Sequence, residues 1–167
     1  MSMWPADIEL LAAGIIDSFI RRGLKVATAE SCTGGLIAGA LTKIPGSSAV
    51  IDRGFVTYSN GAKIDMLSVK AETLADHGAV SEQTAREMVA GALANSKADI
   101  AVAVTGIAGP GGGSDEKPVG RVHLAAATCS GALLHRRMDY GDIGRDAVRL
   151  ETVRTALQMI GEIVQPS

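Results

Sequence analysis

The chain has 167 residues, 47% of them hydrophobic, and a formal net charge of −2. This length fits a single domain over residues 1–167 with a substantial core, and the hydrophobic content excludes a disordered chain. Because there is no basic block and no apolar run of about 20 residues, we expect neither a nucleic-acid partner nor a membrane partner.

The first half of the sequence predicts alternating helices and strands. Apolar residues at helical spacing begin the chain, and Gly23 is placed to end that first helix. The side chain of Ser59 or Asn60 can cap the N-terminus of a later helix. In chain order the predicted segments are a helix over 8–19, a strand over 24–29, a helix over 34–41, a strand over 49–57 and a helix over 60–69.

The second half adds the features that define the fold class. Ser81 is placed to cap a helix, and the tripeptide 129–131 joins two β-prone runs as a hairpin. The predicted segments are a helix over 82–95, strands over 100–104, 119–128 and 132–138, and a helix over 145–164. The alternation predicts a three-layer α/β/α domain, and the late hairpin predicts a mixed, mostly parallel sheet.

A reactive serine is the main chemical candidate. Ser31 follows an apolar strand and precedes an apolar helix, so a tight turn would hold its hydroxyl at a helix N-terminus. There it could act as a nucleophile, and backbone amides near Thr33 and Gly34 could stabilise the resulting oxyanion. The alternative is that Ser31 or Thr33 only caps the helix.

Lys63 is the candidate general base. It lies near the first turn of a predicted helix, where the helix dipole and partial burial would both lower its pKa. A neutral lysine can accept the proton of a serine hydroxyl. Three alternatives stay open: Lys63 is a solvated surface residue, Ser59 pairs with it one helical turn away, or Cys32 is the nucleophile.

A glycine-rich segment over 105–118 is too long to be a simple connection. Its amides could cradle a phosphate, although it lacks both the Walker A pattern and the dinucleotide-binding spacing, and a flexible surface loop is the alternative. Arg145, at the start of the last helix, could clamp a phosphate with a bidentate contact. Ion pairing of Arg145 or Arg149 with nearby acidic residues is the alternative for both arginines.

The cysteines and histidines form no ligand pattern. Cys32 and Cys129 are far apart in sequence, and no two of the three histidines have metal-site spacing. We therefore expect no metal, no cofactor and two free thiols, which suits a cytoplasmic protein.

Several segments together resemble the CinA C-terminal domain family, over about residues 7–162. The segments are Ala29–Gly35, Thr57–Lys63, Gly78–Ser81 and Thr105–Gly112 with Lys117–Gly120. The resemblance implies a three-layer α/β/α fold with a mixed sheet. It also implies an amidohydrolase that converts nicotinamide mononucleotide into nicotinate mononucleotide and ammonia.

The resemblance further implies the roles of individual residues. A Ser/Lys mechanism falls on Ser31 and Lys63, with Tyr58 as a further catalytic residue. The implied substrate-binding residues are Thr33, Gly34, Thr105, Gly106, Gly109 and Arg145. The expected partners are a small pyridine nucleotide and a second copy of the chain in a homodimer. The alternative function is a non-catalytic nucleotide-binding or competence-related interaction module, which would not need both Ser31 and Lys63.

Overall fold

The computed structural model describes residues 1–165, in which we find five strands and six α-helices. The strands are β1 (Val26–Glu30), β2 (Ile51–Val56), β3 (Ile100–Gly106), β4 (Arg121–Thr128) and β5 (Leu133–Asp139). The helices are α1 (Ala6–Arg22), α2 (Leu36–Thr42), α3 (Asn60–Leu67), α4 (Ala71–His77), α5 (Glu82–Ala94) and α6 (Arg145–Ile163). None of the helices within residues 1–165 is long and apolar enough to cross a membrane.

The five strands form one mixed sheet in the order β2-β1-β3-β4-β5. β1 pairs in parallel with β2 and β3, whereas β4 pairs antiparallel with β3 and β5. Four strands therefore point in one direction and β4 runs against them. This arrangement confirms the predicted mixed, mostly parallel sheet.

Helices cover both faces of the sheet, and the strand residues differ between the two faces. One face presents larger aliphatic residues of β1, β3 and β4, which pack against α1, α2 and α6. The other face presents alanines from the same strands, which pack against α3 and α5. Small side chains let α5 approach the sheet closely, and the two packed interfaces confirm the predicted three layers.

Element boundaries differ from the prediction mainly at the turn after β1. Helix α2 begins at Leu36 because Gly34 and Gly35 adopt positive φ values of 57° and 107°, which a right-handed helix cannot contain. Helix α4 was not predicted. The prediction left residues 70–80 without an element, whereas α4 forms a short helix that packs on α5.

The sheet direction brings the candidate residues together. Ser31 follows β1, Tyr58 follows β2 by two residues, and Thr105 lies at the end of β3. Because the carboxyl ends of neighbouring parallel strands meet at one edge of a sheet, these residues converge there. The glycine-rich segment between β3 and β4 starts at the same edge.

Candidate active site

The turn after β1 holds Ser31 with backbone hydrogen bonds. The Ser31 N–H donates to the Val104 carbonyl at 3.1 Å, and the Gly34 N–H donates to the Ser31 carbonyl at 3.0 Å. The first bond ties the turn to β3, and the second closes the turn. Ser31 is 8% exposed, so its hydroxyl reaches solvent only through the cavity described below.

A buried carboxylate secures the start of the helix that follows. Glu30, 1% exposed, accepts hydrogen bonds from the Thr33 hydroxyl at 2.5 Å and from the backbone N–H groups of Ile37 and Ala38 at 2.8 and 3.0 Å. Those two amides belong to the first turn of α2, where a helix has unpaired donors and favours an anion. Sequence reasoning did not assign this role to Glu30.

The side chain of Lys63 reaches Ser31 from α3. Its Nζ lies 2.9 Å from Ser31 Oγ and donates to the Thr57 carbonyl, also at 2.9 Å. Lys63 is 1% exposed, so it is not the solvated surface lysine of the alternative interpretation. Burial lowers the pKa of the Lys63 ammonium below its ordinary value of 10.5.

This geometry suits a neutral amine that accepts a proton. The Thr57 carbonyl accepts one N–H of Lys63, which leaves the nitrogen lone pair free to accept the Ser31 hydroxyl hydrogen. The lowered pKa shifts the equilibrium of Lys63 towards its neutral form, because the charged form loses hydration on burial. The arrangement can therefore deprotonate Ser31 as its Oγ attacks an electrophile.

The two alternative nucleophiles have different roles in the structure. Ser59 is the N-cap of α3, and its Oγ accepts a hydrogen bond from the Ala62 N–H at 3.0 Å. Cys32 is 6% exposed, and burial raises the pKa of its thiol to about 12. Because the thiolate is the reactive form of cysteine, the raised pKa disfavours Cys32 as a nucleophile at neutral pH.

Ser31 and Lys63 lie in a cavity of about 280 Å³ at the carboxyl edge of the sheet. The predicted site residues that line it are Ser31, Tyr58, Lys63, Thr105, Gly106, Gly109 and Arg145. The lining also includes Cys32, the alternative nucleophile, and four further residues of the predicted glycine-rich segment, Ile107, Ala108, Gly111 and Gly112. Three lining residues, Asn60, Ala79 and Val80, were given no site role from the sequence. A second cavity of about 570 Å³ lies between α1 and α6 and has a mainly apolar lining.

Thr33 and Gly34 do not line the cavity. Thr33 is fully buried and its hydroxyl donates to Glu30, while the Gly34 N–H is already bonded to the Ser31 carbonyl. The hydrogen bonds of these two residues secure the turn, and their expected substrate-binding role stays a prediction. The Gly34 amide in particular is not free to stabilise an oxyanion.

Arg145, at one wall of the cavity, links two other lining residues, Gly109 and Tyr58. Its Nη1 donates to the Gly109 carbonyl at 2.8 Å, and its Nη2 donates to the Tyr58 hydroxyl at 3.0 Å. The alternative that Arg145 pairs with a nearby acidic residue is wrong, because both of its hydrogen bonds go to neutral oxygens. Tyr58 lines the cavity and is 61% exposed.

Packing requires glycine at two positions that line the cavity, Gly106 and Gly109. A Cβ at Gly109, which has φ +84°, would lie 2.6 Å from Val119 Cγ1, and a Cβ at Gly106 would lie 2.6 Å from Val122 Cγ2. Thr105 is fixed by a hydrogen bond from its hydroxyl to the Ala79 carbonyl at 2.7 Å. The segment is thus packed against its neighbours where it borders the cavity.

The histidines and cysteines form no metal site in the part of the chain that the structure describes. Within residues 1–165 no group of three or more His, Cys, Asp or Glu residues is arranged to hold a metal ion, and both cysteines are free. His123 and His135 meet across β4 and β5 with Nδ1 and Nε2 3.0 Å apart, a contact that sequence spacing did not indicate. Neither histidine lines the cavity that contains Ser31.

A family profile, described as the CinA C-terminal domain, matches residues 8–164. The chain belongs to the CinA C-terminal domain family. This confirms the resemblance carried by the motifs around Ser31, Lys63 and the glycine-rich segment.

Two similar proteins match the chain over nearly its whole length. The nicotinamide-nucleotide amidohydrolase PncC of Escherichia coli K12 is 51% identical over 159 residues, which cover 95% of each protein. The crystal structure of the competence/damage inducible protein CihA from Agrobacterium tumefaciens is 65% identical, with a TM-score of 0.98 over 99% of this chain and 100% of that one.

Longer relatives also exist. A protein of Caldicellulosiruptor bescii named as competence-damage inducible is 56% identical over 126 residues. That match covers 75% of this chain but only 31% of the relative. The family domain therefore occurs both by itself and as part of larger proteins.

Proposed function

We propose that the chain is a nicotinamide-nucleotide amidohydrolase in which Ser31 is the nucleophile and Lys63 the general base. The observation that carries the mechanism is the 2.9 Å contact between Ser31 Oγ and the buried Lys63 Nζ inside the cavity. The substrate is proposed from the relative named as a nicotinamide-nucleotide amidohydrolase, which matches 95% of the chain. A non-catalytic binding module would have no need of a buried lysine facing a serine.

The reaction proceeds through an ester on Ser31. Oγ attacks the carboxamide carbon as its proton passes to the neutral Nζ of Lys63. When the tetrahedral intermediate collapses, the C–N bond breaks and the Lys63 ammonium returns the proton to the leaving nitrogen, which departs as ammonia. Water then attacks the ester while Lys63 accepts one of its protons. The C–Oγ bond breaks, the Lys63 ammonium returns that proton to Oγ, and nicotinate mononucleotide is released.

The phosphate of the substrate is assigned to Arg145. A guanidinium has five N–H donors, and only two of those of Arg145 are used by Gly109 and Tyr58. The remaining donors and the permanent charge suit a phosphate dianion at the cavity mouth. Tyr58, exposed beside Arg145, supplies an aromatic surface and a hydroxyl at the same end of the cavity.

The experiment is ammonia release measured on nicotinamide mononucleotide, nicotinamide riboside and free nicotinamide. We expect the nucleotide to have the highest kcat/KM, because binding energy from the remote phosphate is used at the reacting carboxamide. The Ser31→Ala variant serves as the control for contaminating amidase. Equal kcat/KM on all three compounds would contradict the assigned substrate, and no ammonia from any of them would favour the binding module.

A further inference from the structure

Arg149, one turn beyond Arg145 on α6, contacts the backbone of the turn that carries Ser31. Its Nε donates to the Cys32 carbonyl at 3.1 Å, and its Nη2 donates to the Thr33 carbonyl at 3.2 Å. Cys32 and Thr33 are the two residues that directly follow Ser31. A single guanidinium therefore holds two successive peptide groups of this turn, more than a hundred positions away in the sequence.

Two further observations indicate that the contact is specific. Within residues 1–165, Arg149 forms no salt bridge, whereas Arg154 on the same helix pairs with Asp7 and Glu151. A Cβ at Gly34, where φ is +57°, would lie 3.4 Å from Arg149 Nη2, so the glycine leaves room for the guanidinium. The guanidinium of Arg149 therefore packs closely against the turn and hydrogen-bonds to it.

The consequence for the reaction follows from peptide geometry. A peptide group is planar, so fixing the Cys32 carbonyl on Arg149 also fixes the direction of the Thr33 N–H. The bond from the Ser31 N–H to the Val104 carbonyl holds the other side of the turn. Between these anchors, Oγ stays 2.9 Å from the Nζ of Lys63.

We propose that Arg149 is a positioning residue that holds the Ser31 turn in the geometry required for proton transfer and attack. The inference rests on the proposed role of Ser31 as nucleophile. Arg149 does not line the cavity, so it acts through the backbone and not by touching the substrate. Its loss should affect kcat more than KM.

The test compares Arg149→Ala, Arg149→Lys and a matched control, Arg154→Ala, in ammonia release from nicotinamide mononucleotide. We expect Arg149→Ala to lower kcat by ~10–100-fold with KM within about twofold, because small misplacements of a reacting group have effects of this size. Added guanidinium ion at low millimolar concentration should restore part of that kcat. Arg149→Lys should be intermediate, since an ammonium lacks the planar fork that spans two carbonyls.

Arg154→Ala should lose surface ion pairs but keep kcat within about twofold of the unsubstituted protein. The proposal is overturned if Arg149→Ala has unchanged kcat, if its effect lies wholly in KM, or if Arg154→Ala loses as much kcat. If Arg149→Ala does not fold, Arg149→Lys decides, and full kcat in that variant overturns the proposal. A Ser31→Ala variant with normal turnover would instead refute the proposed mechanism, and the positioning role with it.

Discussion

Replacing Lys63 with methionine removes the amine but keeps an unbranched side chain of similar length. Lys63 is 1% exposed and its Nζ is 2.9 Å from Ser31 Oγ. We therefore expect no other side chain to take its place as the base in the variant. General-base catalysis contributes ~10²–10⁴-fold, and kcat should fall by that amount with little change in substrate affinity. In the unsubstituted protein, kcat/KM should rise with pH with a midpoint below 10.5, because burial lowers the pKa of Lys63.

The same substitution makes a prediction about stability. Because the pKa of Lys63 is lowered in the folded state, the unfolded chain binds more protons between that lowered pKa and 10.5. The free energy of unfolding of the unsubstituted protein should therefore gain up to ~1.4 kcal/mol per pH unit over this window, relative to Lys63→Met. The free energy of unfolding of Lys63→Met, relative to that of the unsubstituted protein, should thus be highest at neutral pH and should decrease as the pH rises towards 10.5.

Two measurements test this reasoning. Urea unfolding of both proteins at several pH values from 7 to 10 gives the difference in the free energy of unfolding, and the ammonia assay gives kcat/KM over the same range. A difference in stability that does not change with pH would show that the pKa of Lys63 is not lowered. A rising limb of kcat/KM that persists unchanged in Lys63→Met would show that another group is the base.

Three other outcomes are expected. Arg145→Ala should raise KM for the nucleotide by ~10-fold or more, as for loss of a charge-assisted contact worth ~1.5–3 kcal/mol, and an equal effect on the riboside would show that Arg145 does not bind the phosphate. Ser59→Ala should destabilise the protein by ~1 kcal/mol through loss of the α3 cap, with less than a tenfold drop in kcat; a larger drop in an otherwise folded variant would place Ser59 in the chemistry. Prolonged treatment with EDTA should leave kcat unchanged, because Lys63 supplies the base; activity lost and then restored by a divalent metal would contradict this.

The layers of the fold could be predicted because local patterns determine them. Periodicity over α1 and α5 and the apolar run of β3 are properties of contiguous residues, and the hairpin between β4 and β5 has a recognisable turn. Helix α4 was missed because it is only seven residues long and has a single buried residue, Thr73, so it carries little periodic signal. Its stability comes from packing on α5.

The site was predictable where a motif marks a residue and not where a contact depends on tertiary packing. Ser31 and Lys63 were singled out by their positions after strands and by the family motifs. The hydrogen bonds of Arg149 reach Cys32 and Thr33, which precede it by 117 and 116 positions in the sequence. No rule of sequence spacing predicts such a contact. The hydrogen bond of the Gly34 amide to the Ser31 carbonyl depends on the positive φ values of the turn, which a Gly-Gly pair alone does not reveal.

The nucleophile is the central claim, and turnover of Ser31→Ala beside Cys32→Ala tests it most directly. Both residues line the cavity. Ser31 Oγ is hydrogen-bonded to the Nζ of Lys63, whereas burial raises the pKa of the Cys32 thiol to about 12. Ser31→Ala should lose ~10³-fold or more in kcat for ammonia release from nicotinamide mononucleotide while remaining folded, and Cys32→Ala should lose less than tenfold. Substantial turnover in Ser31→Ala, or its abolition in Cys32→Ala, would contradict the account.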